Sequence, residues 1–172
     1  ASAYAAAQNG ARVILAEDKS RFGGSLLTSE VTIGNQSGQE WAEKIISELK
    51  SMPNVVVKNR SQVFGYYDHN MLVMSERVSD HLPKTDKYIP KQRLWYIRAK
   101  EVVISSGSIE RPLVFGNNDA PGVMLSSAAK EYLKIYGVLV GKKPIIFTNN
   151  DSGYETAIEF KKNGVDPIIL DT

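Results

Sequence analysis

The pattern that most constrains the fold occurs twice, near the two ends of the chain. A helix-forming segment ends at an Asn-Gly pair, and a short, almost wholly apolar segment that ends at an acidic residue follows. The two copies are residues 1–8, Asn9-Gly10 and 12–16, and residues 153–162, Asn163-Gly164 and 165–170. Short apolar segments of this kind are typical of strands buried on both faces of a parallel sheet. Each copy therefore predicts the second half of a β-α-β unit.

The second copy has its own first strand at 144–147, whereas the first copy has none before it. We expect the missing strand and its glycine turn to precede Ala1, so that the chain is truncated at both ends. Between the two copies the sequence predicts a series of helices and strands. These are helices at 39–52 and 126–136, buried strands at 55–57 and 101–105, and an antiparallel meander at 62–67, 72–75 and 94–98, with a tight turn at 68–70.

The predicted class is α/β, with a Rossmann-like FAD/NAD(P)-binding fold and an antiparallel β-meander. Residues 1–116 are predicted to form a first dinucleotide-binding domain without its first strand and glycine turn. Residues 117–172 are predicted to begin a second domain of the same kind.

Composition excludes several functional classes. The 172 residues include no cysteine, which excludes thiol nucleophiles, disulfides, iron–sulfur clusters and Cys-ligated zinc. A net charge of +2 argues against nucleic acid or an anionic membrane as a partner. His69 and His81 lie in predicted turns without partners at metal-ligand spacing, so we predict no metal site. No spacing in the sequence predicts a catalytic residue.

Glu17, followed by Asp18, ends the first predicted strand. In a dinucleotide-binding β-α-β unit, an acidic residue at the end of the second strand accepts hydrogen bonds from the adenosine ribose. The alternative is that Glu17 merely ends a strand at the surface. Gly23-Gly24 follows in a loop, where a missing Cβ lets the backbone approach a ligand, or where the loop is simply flexible.

Two more candidates follow the predicted strand at 101–105. Ser106 and Gly107 form a small-residue turn at what would be the carboxyl end of a sheet strand, where ligands bind in open α/β sheets. Arg111 can contact a phosphate or form a surface ion pair. A dinucleotide turn at 148–153 would read Gly-x-Gly-x-x-Gly, but only Gly153 is present, and Asp151 or Ser152 is predicted to cap the helix.

Several long and unusual segments resemble the amino-terminal region of the α subunit of heterotetrameric sarcosine oxidase. The segments are Val63–Asn70, Gln92–Ala99, Ile109–Phe115, Asn117–Leu125 and Phe147–Asp151. The resemblance implies a two-dinucleotide-binding-domain flavoprotein fold, with NAD held by the α subunit, FAD in the β subunit and FMN between them. It also implies a cytoplasmic complex that converts sarcosine or a similar N-methyl amine and O2 into formaldehyde and H2O2. The amine and folate are handled elsewhere in that complex.

By the same resemblance, the cofactor-binding residues are Glu17, Asp18, Gly23, Gly24, Ser25, Val63, Ser106 and Gly107. Arg111 is added to these cofactor-binding candidates as a phosphate contact. The chain on its own is expected to be inactive and to bind NAD weakly or not at all, because the helix N-terminus that anchors the pyrophosphate is missing. Tight NAD binding by these 172 residues in isothermal titration would contradict that expectation. Two other functions remain open, an NAD(P)H-dependent flavin oxidoreductase of the disulfide-reductase class and a non-catalytic nucleotide-binding subunit.

Overall fold

The computed structural model describes residues 1–172 as two units, Ala1–Ser106 and Gly107–Thr172. The first unit is built on two parallel strands, β1 (Val13–Ala16) and β4 (Val55–Lys58), which pair in register from Val13 with Val55 to Ala16 with Lys58. Helix α1 (Ser2–Gln8) leads into β1, and helix α2 (Gly38–Ser51) connects β1 to β4. The predicted helix–turn–strand and the crossover helix are confirmed.

Helix α2 begins where the sequence supplies a capping box. The Ser37 side chain accepts a hydrogen bond from the Glu40 amide, and the Glu40 carboxylate accepts one from the Ser37 amide. The helix buries Ala42 and Leu49 and packs against β4. The expectation that β1 and β4 are buried on both faces is wrong. Ile14 and its partner Val56 are 48% and 47% exposed, because no element of this unit covers that face.

The segment between β1 and α2 is more ordered than the predicted loop. It contains a 3₁₀ helix at Gly24–Leu27, whose last residue is buried, and a short antiparallel pair of strands, β2 (Thr32–Ile33) and β3 (Gln36–Ser37). The Gly38 amide donates to the Val31 carbonyl at 2.8 Å, which ties the segment to the start of α2.

The predicted meander is confirmed and forms the rest of the first unit. Strands β5 (Ser61–Tyr67), β6 (Met71–Arg77) and β7 (Gln92–Arg98) pair antiparallel in that order. A 3₁₀ turn at Asp68–Asn70 joins the first two strands, and the register shifts between Val63 and Gly65. Val73 and Met74 in the central strand are buried.

The predicted strand at 101–105 is wrong. No strand of the chain pairs with this segment, and Val103 and Ile104 are 70% and 73% exposed. The apolar sequence indicated a buried strand, but a strand forms only where a neighbour accepts its backbone hydrogen bonds.

The second unit contains a complete β-α-β element. Strand β8 (Ile145–Thr148) pairs parallel with β9 (Ile168–Asp171), and helix α4 (Asp151–Lys162) connects them after helix α3 (Ser126–Tyr136). Gly137, with φ of 66°, ends α3 in the left-handed region. The buried core consists of Ala129, Leu133, Ile146, Ala157 and Phe160. None of the helices in the chain combines the length and apolar character needed to cross a bilayer.

Candidate dinucleotide-binding site

Glu17 continues β1 by one residue at the carboxyl end of the parallel pair. Its amide donates to the Lys58 carbonyl at 2.9 Å, and its carbonyl accepts from the Ser61 amide at 2.8 Å. Its carboxylate accepts a hydrogen bond from the Lys19 amide at 3.1 Å and is partly buried, whereas Asp18 is exposed. The backbone of Glu17 is therefore fixed on both sides, while its carboxylate keeps acceptor capacity for a ligand hydroxyl.

The surroundings of Glu17 raise the pKa of its side-chain carboxyl group. Burial raises the pKa of Glu17, the Asp18 hydrogen bond and charge raise it further, and the Lys19 amide opposes the shift. Two adjacent carboxyls therefore lie at the end of a strand, and each raises the cost of a second negative charge beside it. Such a pair accepts hydrogen bonds from two neighbouring hydroxyls and repels a phosphate on either of them.

Glu17→Gln is therefore expected to stabilise the fold at neutral pH, by less than about 1 kcal/mol because the site is partly exposed. Because the folded-state pKa of Glu17 is raised, Glu17 contributes favourably to the free energy of unfolding at low pH. This contribution is lost as the pH rises through the raised pKa. The gain from the substitution should disappear at acidic pH. Urea unfolding at several pH values measures it, with Asp68→Asn as the control. A stability gain from Glu17→Gln that increases as the pH is lowered would contradict this prediction.

The paired glycines differ in what a side chain would meet. Gly23 has φ of 129°, a conformation that side chains rarely adopt, and a Cβ there would make a tight contact of 3.1 Å with Leu27 Cδ2. Gly24 has φ of 53° and nothing within 4 Å of a Cβ position, so its side of the loop is open. Ser25 is exposed beside it. An open, side-chain-free backbone of this kind allows a ligand to approach closely.

The remaining predicted residues are distributed over both units. Val63, 42% exposed, lies where the β5–β6 register shifts. Ser106 ends the first unit and is exposed, and Gly107, with φ of 70°, begins the second. Arg111 is exposed in the second unit. Glu17, Asp18 and the Gly23–Ser25 loop all follow β1 in the chain and belong to the first unit.

Glu110 has a structural role that the sequence analysis missed. Its carboxylate accepts hydrogen bonds from the Ser126 amide at 3.2 Å and the Ser127 amide at 2.7 Å, the first amides of α3. The Ncap residue of α3, Leu125, offers no side-chain cap. Glu110 therefore caps α3 from a distant segment and complements the helix dipole.

Glu110→Ala should reduce stability by about 1 kcal/mol, since two amides lose a charged acceptor. Urea unfolding followed by the far-ultraviolet signal measures the change. The adjacent Arg111→Ala is the matched control, because Arg111 is exposed. Equal effects of the two substitutions would contradict the capping role.

The turn before α4 lacks the first two glycines of a dinucleotide-binding turn. The predicted caps Asp151 and Ser152 are wrong: the Asn150 side chain is the cap and accepts from the Ser152 amide at 3.0 Å. Thr148 and Asn150 stand where the first two glycines of a dinucleotide fingerprint would be, and they hydrogen-bond to each other at 2.8 and 3.2 Å. Gly153 keeps the packing role of the third glycine, since a Cβ there would lie 2.6 Å from Thr148 Cβ.

Other candidate features lie outside this site. A cavity of about 180 Å³ is lined by residues of the loop after β1, of α2 and by Asn59, but by none of the predicted cofactor residues. No group of three or more His, Asp or Glu side chains could hold a metal ion. His69 and His81 are both exposed.

The fold of this chain is similar to that of a solved structure. It matches 32% of the chain of L-proline dehydrogenase from P. horikoshii, with a TM-score of 0.76, 22% identity and 99% of this chain covered. The two proteins therefore share a mixed α/β fold over this region. No protein-family model matches the sequence.

Sequence comparison is more specific. The chain is 45% identical over 170 residues to sarcosine oxidase subunit alpha of Rhizobium meliloti (strain 1021). It is 35% identical over 173 aligned residues to the same subunit of Corynebacterium sp. (strains P-1 and U-96). This chain is a homologue of sarcosine oxidase subunit alpha over 99% of its length, which confirms the resemblance predicted from the sequence. It spans 17% of the length of the Rhizobium relative and 18% of the Corynebacterium relatives.

Proposed function

We propose that this chain is the NAD-binding scaffold of a sarcosine-oxidase-type α subunit, with a Rossmann-like dinucleotide-binding fold. The observation that carries the proposal is the fixed position of Glu17 at the carboxyl end of β1, in a chain 45% identical to such a subunit. Its carboxylate binds the adenosine ribose hydroxyls, and Asp18 adds charge that disfavours a 2′-phosphate. Gly24 and Ser25 let the cofactor pass, and the backbone at Val63 faces the adenine.

The assembled enzyme is proposed to be a cytoplasmic heterotetramer that oxidises sarcosine or a similar N-methyl amine. FAD in the β subunit would supply the two-electron oxidation of the amine to an imine, which water hydrolyses to formaldehyde, and FMN between the α and β subunits would pass the electrons to O2, giving H2O2. No residue of this chain is assigned to that chemistry. Its side chains bind and orient NAD and support subunit packing, while the amine and folate are bound elsewhere in the complex.

Two alternative functions make different predictions. A disulfide-reductase-like enzyme would bind NAD(P)H at the turn before α4, but Asn150 caps that helix and Thr148 fills the glycine position. A non-catalytic nucleotide-binding subunit would share the Glu17 site but would form no active complex.

Isothermal titration of the complete α subunit with NAD and NADP tests the cofactor assignment, and peroxide formation from sarcosine by the reconstituted complex tests the reaction. Stoichiometric NAD binding at one site, tighter than NADP binding, together with sarcosine-dependent peroxide is the expected result. NAD binding without peroxide would favour the non-catalytic alternative. Hydride transfer from NADPH would favour the reductase.

A further inference from the structure

Residues 58–61, where the chain turns from β4 into β5, form a backbone corner that hydrogen-bonds to both the amide and the carbonyl of Glu17. Lys58 accepts from the Glu17 amide, and Ser61 donates to the Glu17 carbonyl, at 2.9 and 2.8 Å. The Arg60 amide donates to the Lys19 carbonyl at 2.9 Å. The position of the Glu17 carboxylate therefore depends on the conformation of this corner.

The corner is not stable by local preference. Arg60 has φ of 51°, in the left-handed region that is unfavourable for a residue with a Cβ. Such conformations persist where surrounding contacts enforce them. One of these contacts comes from β6, since the Arg77 amide donates to the Arg60 carbonyl at 2.9 Å. The meander thus holds the strained residue through a backbone hydrogen bond to its carbonyl.

The residue before Arg77 supplies a second connection. Glu76 Oε1 lies 2.9 Å from Lys58 Nζ, and Glu76 Oε2 accepts from Trp95 Nε1 at 2.7 Å. Arg93 lies 3.4 Å from the same Oε2, and Lys58 Nζ lies 5.0 Å from the centre of the Trp95 ring. The Glu76 and Lys58 side chains are 13% and 23% exposed, so solvent screens this pair less than a surface pair.

The contacts of Glu76 with Lys58, Trp95 and Arg93 favour its ionised form. Burial opposes its ionisation, but hydrogen bonds from Lys58 and Trp95 and the charges of Lys58 and Arg93 outweigh burial and lower the pKa of Glu76. The carboxylate remains ionised at neutral pH, and Lys58 stays paired with it.

We propose that Glu76 is a positioning residue for the nucleotide site: from β6 it holds Lys58, and through the 58–61 corner it fixes Glu17 where the ribose binds. The inference rests on the proposed NAD site and assigns the meander a supporting role in it. Loss of the Glu76 side chain should therefore increase the mobility of the corner and weaken the binding of NAD.

Hydrogen exchange tests the first claim in the complete α subunit within its complex. Glu76→Ala should speed exchange in peptides covering 17–20 and 58–61 by about tenfold, with no change in α2 or in the second unit. Glu76→Gln keeps an acceptor without the charge and should give a smaller increase. The matched control is Glu155→Ala, which removes an ion pair with Lys130 in the second unit and should leave both peptides unchanged. Unchanged exchange at 17–20, or a uniform rise over the first unit, would overturn the proposal.

NAD titration of the same proteins tests the second claim. Glu76→Ala should weaken NAD binding about three- to tenfold, and it should have little further effect when Glu17 is already glutamine, because both act on one contact. Full additivity of the two substitutions would overturn the positioning role. If the unsubstituted subunit bound no NAD, the proposed function would fail, and the exchange result would still decide whether Glu76 fixes the corner.

Discussion

Glu17→Gln is expected to weaken NAD binding to the complete α subunit by about 10- to 100-fold. A hydrogen bond to a charged acceptor contributes about 1.5–3 kcal/mol, and each 1.4 kcal/mol is a tenfold change in affinity. The amide keeps one acceptor but loses the charge that two ribose hydroxyls would share. Isothermal titration measures the change.

The same substitution should narrow the preference for NAD over NADP, since it removes part of the charge that opposes a 2′-phosphate. Asp68→Asn, an equal change of charge in the exposed β5–β6 turn, serves as the control and should alter neither affinity. An NAD affinity within twofold of the unsubstituted protein would exclude Glu17 as the ribose ligand.

Gly153→Ala should lower the free energy of unfolding by about 1–3 kcal/mol through overpacking. The added Cβ would lie 2.6 Å from Thr148 Cβ and Oγ1, so β8 and α4 would have to separate. Urea unfolding measures the loss. In a Thr148→Gly background the same substitution should cost much less, because the atoms it meets are gone.

Gly141→Ala is the matched control for Gly153→Ala. Gly141 does not have positive φ, and nothing lies within 4 Å of its Cβ position, so this substitution should be neutral or slightly stabilising. Equal costs at the two glycines would show that Gly153 is not required for the packing of α4 on β8.

Local sequence patterns predicted most of the regular elements. The Asn-Gly turns, the helical spacing of apolar residues in α2 and the change of period in the meander act within a few residues, so they could be recognised without the fold. The segment at 101–105 has equally strong strand character, but strand formation depends on a partner elsewhere, which composition does not reveal.

The candidate site could be predicted only in part for the same reason. Glu17 follows β1 directly and Gly23-Gly24 lies in the loop after it, so their place in the chain relative to the strand could be inferred. Glu76 reaches the site through contacts between β4, β6 and β7, and no spacing in the sequence joins these strands. The cap on α4 was missed by one residue, because Asn150, Asp151 and Ser152 are all good capping residues.

The carboxylate of Glu110 at the start of α3 also has a kinetic consequence. The capping contacts span 16 and 17 residues of chain, so a loop of that length must close before the first turn of α3 gains its acceptor. Until then the helix should fray at this end, even while its last turn is already closed by Gly137. We therefore expect the amino-terminal end of α3 to acquire protection later in refolding than its carboxyl-terminal end.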